Sequence, residues 1–324
     1  MKLAIRSVFI LSILISTIAL AQQPDSLIKK LDSAQLMTDS AGGQTNVINR
    51  KAYNERTEIH FDTYFILLTS NFKQQLTAPF HLTKKDWIKV GKFGVVLVGV
   101  GLLDESIQRF GQNLRDNNKG VRVISNRVTN LGAQYEGITL IALGTYGFLF
   151  KNEKIQTTTL LASQAYITSS VMESLLKAIT GRQRPSYYDP IAKEAEPRFH
   201  GPIHKPFKDV SGKTISSSFP SGHAAAAFAA ATVYAMEYKD RPLVPIISYT
   251  TASLIALSRI TENRHWATDI VAGSTMGFLI GRQVVNNYHR YAKLQEEKRK
   301  KNSVSFQLQY NFGHLMPGIV YTFK

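Results

Sequence analysis

The sequence predicts an all-α protein, a helical bundle ending in a short C-terminal β-hairpin. Between Asp86 and residue 292 the chain is a series of apolar segments of helical length, most of them bounded by Gly, Pro, Asn or charged clusters. Beyond residue 303 the period changes. Val304, Phe306, Leu308, Tyr310 and Phe312 alternate with Ser305, Gln307, Gln309 and Asn311, the pattern of a half-buried strand.

Taken in order, residues 1–21 read as a secretory leader. Lys2 and Arg6 precede an apolar run from Val8 to Leu20, and Ala19-Leu20-Ala21 supplies small residues for cleavage. Residues 22–58 are polar and contain Gly42-Gly43, a linker composition. Residues 59–85 hold apolar stretches and Pro79, enough for one or two short elements. Helices are expected over 86–110, 120–130, 134–150, 155–181, 221–239, 243–260 and 265–292, so that residues 59–292 make one helical domain. On the last of these, Gly273, Gly277 and Gly281 form a smooth strip that lets another helix approach closely, and Ala224–Ala231 is the natural partner. The basic stretch 293–301 reads as a solvated helix end. Gly313–Gly318 then reads as a turn and Ile319–Phe323 as a second strand.

Lys and Arg outnumber Asp and Glu by 39 to 23. This excess favours anionic partners, phosphorylated substrates and anionic lipid surfaces, over neutral ones. Export and the lack of any nucleic-acid motif argue against nucleic acid. There is no cysteine, which rules out disulfides, thiolate metal sites and a lipoprotein anchor. The simplest address is a periplasm. The best apolar runs, Phe93–Leu103, Gly137–Phe150 and Leu243–Leu257, fall short of the ~18–20 residues of a membrane span. Mean hydropathy is slightly negative as well, so the sequence favours a globular or peripheral bundle.

Three separated motifs carry the chemistry. The first is Lys177-Ala-Ile-Thr-Gly-Arg-Gln-Arg184-Pro185, the second Pro220-Ser221-Gly222-His223, and the third Ser258-Arg259 followed by His265 and Asp269. A phosphoryl group spreads negative charge over its oxygens, and its transfer is mostly a matter of positioning and charge stabilisation. Lys177, Arg184 and Arg259 are three cations, two of them guanidiniums suited to forked contact with phosphate. Pro220–His223 precedes the alanine run 224–231, which places Ser221 and the Gly222 N–H at a helix N-terminus, where anions are favoured. Gly222 also lets the backbone come close to a ligand. His265 and Asp269 are four residues apart on one helix face, so a carboxylate can keep one ring nitrogen protonated and leave the other free to attack. His223 then remains as general acid. None of these roles requires a metal.

In order and content the three motifs resemble the signature of the type 2 phosphatidic acid phosphatase and vanadium haloperoxidase superfamily, PAP2, over roughly residues 90–290. The resemblance implies a PAP2-type bundle and the same roles. His265 would be the nucleophile, Asp269 its orienter and His223 the acid, with Lys177, Arg184, Arg259, Ser221 and Gly222 as the phosphate cradle. It implies a metal-independent phosphatase, here one acting on lipid phosphates. Two alternatives stay open, a broad-specificity periplasmic acid phosphatase and a haloperoxidase that would hold vanadate in the same cradle. Residues Ser186–Ser218, with Tyr187, Tyr188, His200 and His204, form a loop anchored at both ends beside the cradle, placed to act as a lid or leaving-group wall. His200 and His204 lack an evident acidic partner for a metal site.

Overall fold

The computed structural model describes residues 61–129, 134–186, 197–203, 207–208, 212, 214–301, 303–311 and 314–322. The expected leader and linker lie outside them. Helix α1 (Phe61–Thr77) and a 3-10 turn (Ala78–His81) lead into α2 (Lys84–Gly101), α3 (Asp104–Asn117), α4 (Lys119–Val128), α5 (Gln134–Leu149) and α6 (Glu153–Thr180). A minimal strand pair follows, β1 (Phe207–Lys208) with β2 (Thr214–Ile215). The chain continues through α7 (Gly222–Glu237), α8 (Leu243–Thr261) and α9 (Ala267–Lys301) to the hairpin β3 (Ser303–Asn311) and β4 (His314–Thr322).

Local signals set most of these boundaries. Thr83 and Asp86 form a reciprocal capping box at the start of α2. The Asn118 and Asn152 side chains cap α4 and α6, accepting from Val121 N at 3.1 Å and Ile155 N at 3.0 Å. Gly181 ends α6 in the left-handed region, φ 53°, a conformation that costs glycine nothing.

The stretch expected as one helix over 86–110 is two, broken at Leu102–Leu103. Gly99 and Gly101 stand just before this break. The fully buried Asp104, the first residue of α3, is engaged by groups far along the chain, described below. The last helix runs on to Lys301, taking in the basic stretch. The hairpin turn is also tighter than expected. His314 to Pro317 already belong to β4, and Pro317 stands opposite Leu308. Proline is tolerated there because both strands of a two-stranded sheet are edges, where a missing N–H can face outward.

The alanine-rich α7 is the hub, packed on α6, α8 and α9 with nearly all its small side chains buried. The glycine strip of α9 lies against it as the sequence suggests, Gly273 on Ser221, Gly277 on Ala225 and Gly281 on Ala229. A Cβ on Gly281 would stand 2.5 Å from the Ala229 carbonyl oxygen, and at Gly273 and Gly277 one would come closer still to backbone oxygens. Only glycine permits this approach. At the opposite end of α9 from Asp269, α1 is clasped by buried amides. Asn71 donates to Gln164 and accepts from Asn287, both at 2.9 Å.

The outer faces of the bundle are apolar. Val95 on α2 and Leu102 just beyond its end, Ile141 and Leu149 on α5, and Leu243, Ile246 and Ile247 on α8 are each more than 60% exposed. Ile167, Val171, Leu175 and Ile179 continue this surface along α6. Among the described residues one helix, Leu243–Thr261, is long and apolar enough to cross a membrane by composition, and only 33% of its apolar window is buried. The sequence's preference for a globular bundle rested on run length and mean hydropathy. Those measures average inward polar and outward apolar residues together and hide this face.

Candidate active site

The C-terminal ends of α6 and α8 and the N-terminal ends of α7 and α9 meet at one end of the bundle, and there the three motifs come together. Lys177 lies in the last turn of α6, and Arg184 follows the Gly181 cap. Ser221 caps α7, its hydroxyl oxygen accepting from Ala224 N at 3.4 Å. Gly222 and His223 are the first two helical residues of α7, so their N–H groups have no partner one turn back. Arg259 is in the last turn of α8, and Asp269 is in the first turn of α9.

The charges converge on His265. It is 1% exposed, and burial together with Arg184, Lys177, Arg259 and His223 holds its proton affinity well below the usual histidine range. The imidazole therefore stays neutral. Its Nδ1 is 2.8 Å from the Ser218 carbonyl oxygen, which can only accept, so Nδ1 carries the proton and Nε2 keeps its lone pair.

The direct ring-to-carboxylate hydrogen bond anticipated from the His265/Asp269 spacing is not formed. Asp269 Oδ2 is 3.6 Å from Nδ1, because it is taken up by the Ser218 hydroxyl at 2.5 Å and the Trp266 N–H at 2.9 Å. Asp269 thus holds the two residues that flank the ring and acts on the ring itself through its charge.

The cations are held in place from behind. Arg184 donates through Nε to the Ser216 carbonyl and through one terminal nitrogen to the Ser216 hydroxyl, each at 2.8 Å. Arg259 donates to the Thr129 hydroxyl, while its buried Nε has no partner among the described residues and is available to an oxyanion. Lys177 is paired with Glu173 one turn earlier. Glu173 also lies against Gly222, where a Cβ would meet its Oε1 at 2.5 Å. A carboxylate therefore abuts the α7 N-terminus in the absence of ligand.

The long loop is tied to this site at several points. Gln183 N donates to Arg198 O at 3.1 Å and His200 N to Gly181 O at 3.0 Å. Tyr187, Tyr188 and His204 lie outside the described residues. Among the described residues no three His, Asp or Glu side chains gather as a metal site would require.

Sequence reasoning missed Arg182, Ser218, Glu173 and Asp104. Arg182 sits unremarked inside the spacer of the first motif, and Ser218 precedes Phe219-Pro220. Asp104 carries no motif signal at all.

Fold and site together define a helical-bundle protein with three cations gathered around a neutral, oriented histidine. Residues 158–293 match the PAP2 superfamily. A lipid A 1-phosphatase of Porphyromonas gingivalis is 48% identical over 69 residues, 21% of this chain and 16% of that protein. A PA-phosphatase related-family protein of Dictyostelium discoideum is 28% identical over 165 residues, 44% of this chain and 56% of that one. The chain therefore spans less than two thirds of either relative. Among solved structures it is similar to a transmembrane PAP2 type phosphatidylglycerolphosphate phosphatase of Bacillus subtilis, with TM-score 0.43, 18% identity, and 72% of this chain and 98% of that chain covered. It is also similar to LpxE of Aquifex aeolicus, with TM-score 0.40, 23% identity, and 57% and 95% covered.

Proposed function

We propose that this protein is a metal-independent phosphatase of lipid phosphate monoesters or diphosphates, working through a phosphohistidine at His265. The observation that carries the reading is the neutral, buried His265 with Nε2 free, ringed by Lys177, Arg184 and Arg259 beside the α7 N-terminus. In the first step the Nε2 lone pair attacks phosphorus and the P–O bond to the leaving group breaks. Burial, and then Arg259 and the other cations, push the pKa of His223 down to about 3. The negative phosphate offsets those cations, so that His223 takes up a proton and gives it to the departing oxygen. In the second, His223 takes a proton from water, whose oxygen attacks phosphorus and breaks the P–N bond. Phosphate leaves and both histidines regain their starting states. Lys177, Arg184, Arg259, Ser221 and the Gly222 N–H stabilise the charge on the equatorial oxygens throughout.

The lipid part of the reading rests on the apolar outer faces. Contiguous apolar surface on this scale marks contact with lipid or another protein. With the cradle at one end of the helices, a bilayer around α2, α5, α6 and α8 would present the site at the membrane boundary. A phosphorylated headgroup could enter there while its chains stay in the hydrocarbon. The leader-like residues 1–21 and the name of the Porphyromonas relative make an exported lipid A phosphate the first substrate to assay.

The test is phosphate release from lipid A phosphate, phosphatidic acid, phosphatidylglycerol phosphate, polyprenyl diphosphate and short soluble esters, in detergent, with and without chelator. Chelator-resistant turnover favouring lipids is expected. Equal turnover of soluble esters, with no partition into anionic vesicles, would favour the acid-phosphatase reading. Halide oxidation by peroxide on adding vanadate would favour the haloperoxidase one. Loss with chelator, restored by a divalent metal, would overturn the mechanism.

A further inference from the structure

Behind His265, on the side away from the cradle, four buried groups form a chain that the three motifs do not explain. Asp269 Oδ1 accepts from Arg182 at 2.6 Å, and the other terminal nitrogen of Arg182 donates to Asp104 Oδ2 at 2.5 Å. Asp104 also takes the Thr268 N–H on Oδ1 and the Thr268 hydroxyl on Oδ2, both at 2.8 Å. Arg182 itself is locked in place. Its N–H donates to the Ser217 hydroxyl at 2.7 Å, and its guanidinium stacks 4.6 Å from the Phe199 ring centre. Asp104, Asp269 and Arg182 are at most 2% exposed.

The charges of this chain matter to the reaction. As Nε2 bonds to phosphorus the imidazole ring becomes positive, and a net negative charge beyond Nδ1 stabilises it. Asp269 is the nearest anion, yet Arg182 is in contact with it and would cancel it. Asp104 neutralises Arg182 in turn, so the group keeps a net charge of −1 facing the histidine. The same contacts fix geometry. Asp104 grips Thr268 and Asp269 grips Trp266 and Ser218, so the segment carrying His265 is held at both ends of its turn.

We propose that Asp104 and Arg182 are positioning residues for the phosphohistidine chemistry, with Asp104 restoring the negative charge that Arg182 removes from Asp269. Asp104 lies at the head of α3, 165 residues from Asp269 and outside the matched region 158–293. The inference rests on the phosphatase reading.

The experiment compares Asp104→Asn, Arg182→Gln and the double variant with the wild type. It measures kcat, KM, inhibition by inorganic phosphate, and thermal unfolding in detergent. Asp104→Asn leaves a net charge of zero beside His265. Arg182→Gln leaves two buried carboxylates with no cation between them, whose repulsion loosens the contacts that fix the His265 turn. The double variant removes that repulsion and restores −1. The double variant should therefore turn over at least about tenfold faster than either single one. For Asp104→Asn, kcat should fall about 10- to 100-fold, while KM and phosphate inhibition stay within about threefold, since neither residue touches the cradle.

Wild-type kcat in Asp104→Asn, or a double variant no faster than the singles, would overturn the inference. If one single variant fails to fold, the double is compared with the other, and the same ordering decides. A wild-type protein that releases phosphate from no substrate would instead sink the phosphatase reading itself, which separates the two failures.

Discussion

Replacing Gly277 with alanine tests whether the α7–α9 contact sets the geometry of catalysis. Real Cβ atoms do not come within 3.0 Å of a neighbouring heavy atom, and at Gly281 an added Cβ would already fall 0.5 Å short of that limit against Ala229 O. At Gly277 the intrusion on Ala225 O is larger, and the obstacle is backbone, which cannot rotate away. The helices must therefore separate by about 1 Å, the scale of overpacking that costs about 1–3 kcal/mol. α7 carries Ser221, Gly222 and His223, and α9 carries Asp269 and follows directly from His265. The shift thus moves the proposed acid His223 and its neighbours Ser221 and Gly222 relative to the proposed nucleophile His265, and a ~1 Å misplacement can cost ~10²-fold in rate. Gly277→Ala should lose about that factor in kcat on a soluble nitrophenyl phosphate and unfold at lower temperature. Gly281→Ala lies ~6 Å further along the helix and should lose stability with a smaller loss of rate. Gly91→Ala is the control, since a Cβ there meets nothing within 4 Å. Wild-type kcat and melting temperature in Gly277→Ala would refute the argument.

Three further outcomes follow from the site. His265→Ala should abolish the phosphoenzyme, whereas His223→Ala should slow alkyl esters far more than nitrophenyl esters, whose leaving group needs no proton; equal slowing of both would remove His223 as the acid. Glu173→Gln should free Lys177 of its carboxylate and make inorganic phosphate a several-fold stronger inhibitor, so unchanged inhibition would show that Glu173 does not compete with the ligand. Because the folded His265 is held neutral while an unfolded histidine takes a proton below about pH 6.5, the unfolded state binds more protons there. Stability should then fall as pH drops, by up to about 1.4 kcal/mol per pH unit, and His265→Asn should flatten that slope in pH-dependent melts.

The bundle, most helix ends and the three motifs were legible because each is written in local patterns. Caps such as Thr83 and Asn152, the Gly181 stop, and the match of Gly273, Gly277 and Gly281 to the alanine run are properties of neighbouring residues or of helical period. The break at Leu102–Leu103 was legible only in part, since Gly99 and Gly101 precede it but the partners that hold Asp104 lie far along the chain. The apolar exterior was hidden for a related reason. A helix such as α6 can bury Gln164 inward and present Ile167 and Val171 outward, and an average over both faces looks neutral.

The sequence by itself named the side chains proposed to do the chemistry, because a nucleophile, an acid and phosphate-binding cations must be particular residue types, and their motifs place them at helix ends. The tertiary structure decided how they are held. It gave the Nδ1 bond of His265 to the Ser218 carbonyl rather than to Asp269, set Glu173 against the helix N-terminus, and joined Asp104 through Arg182 to Asp269. These contacts link residues dozens of positions apart, or depend on which of several acceptors a buried donor reaches first. No local period encodes either, and packing alone resolves them.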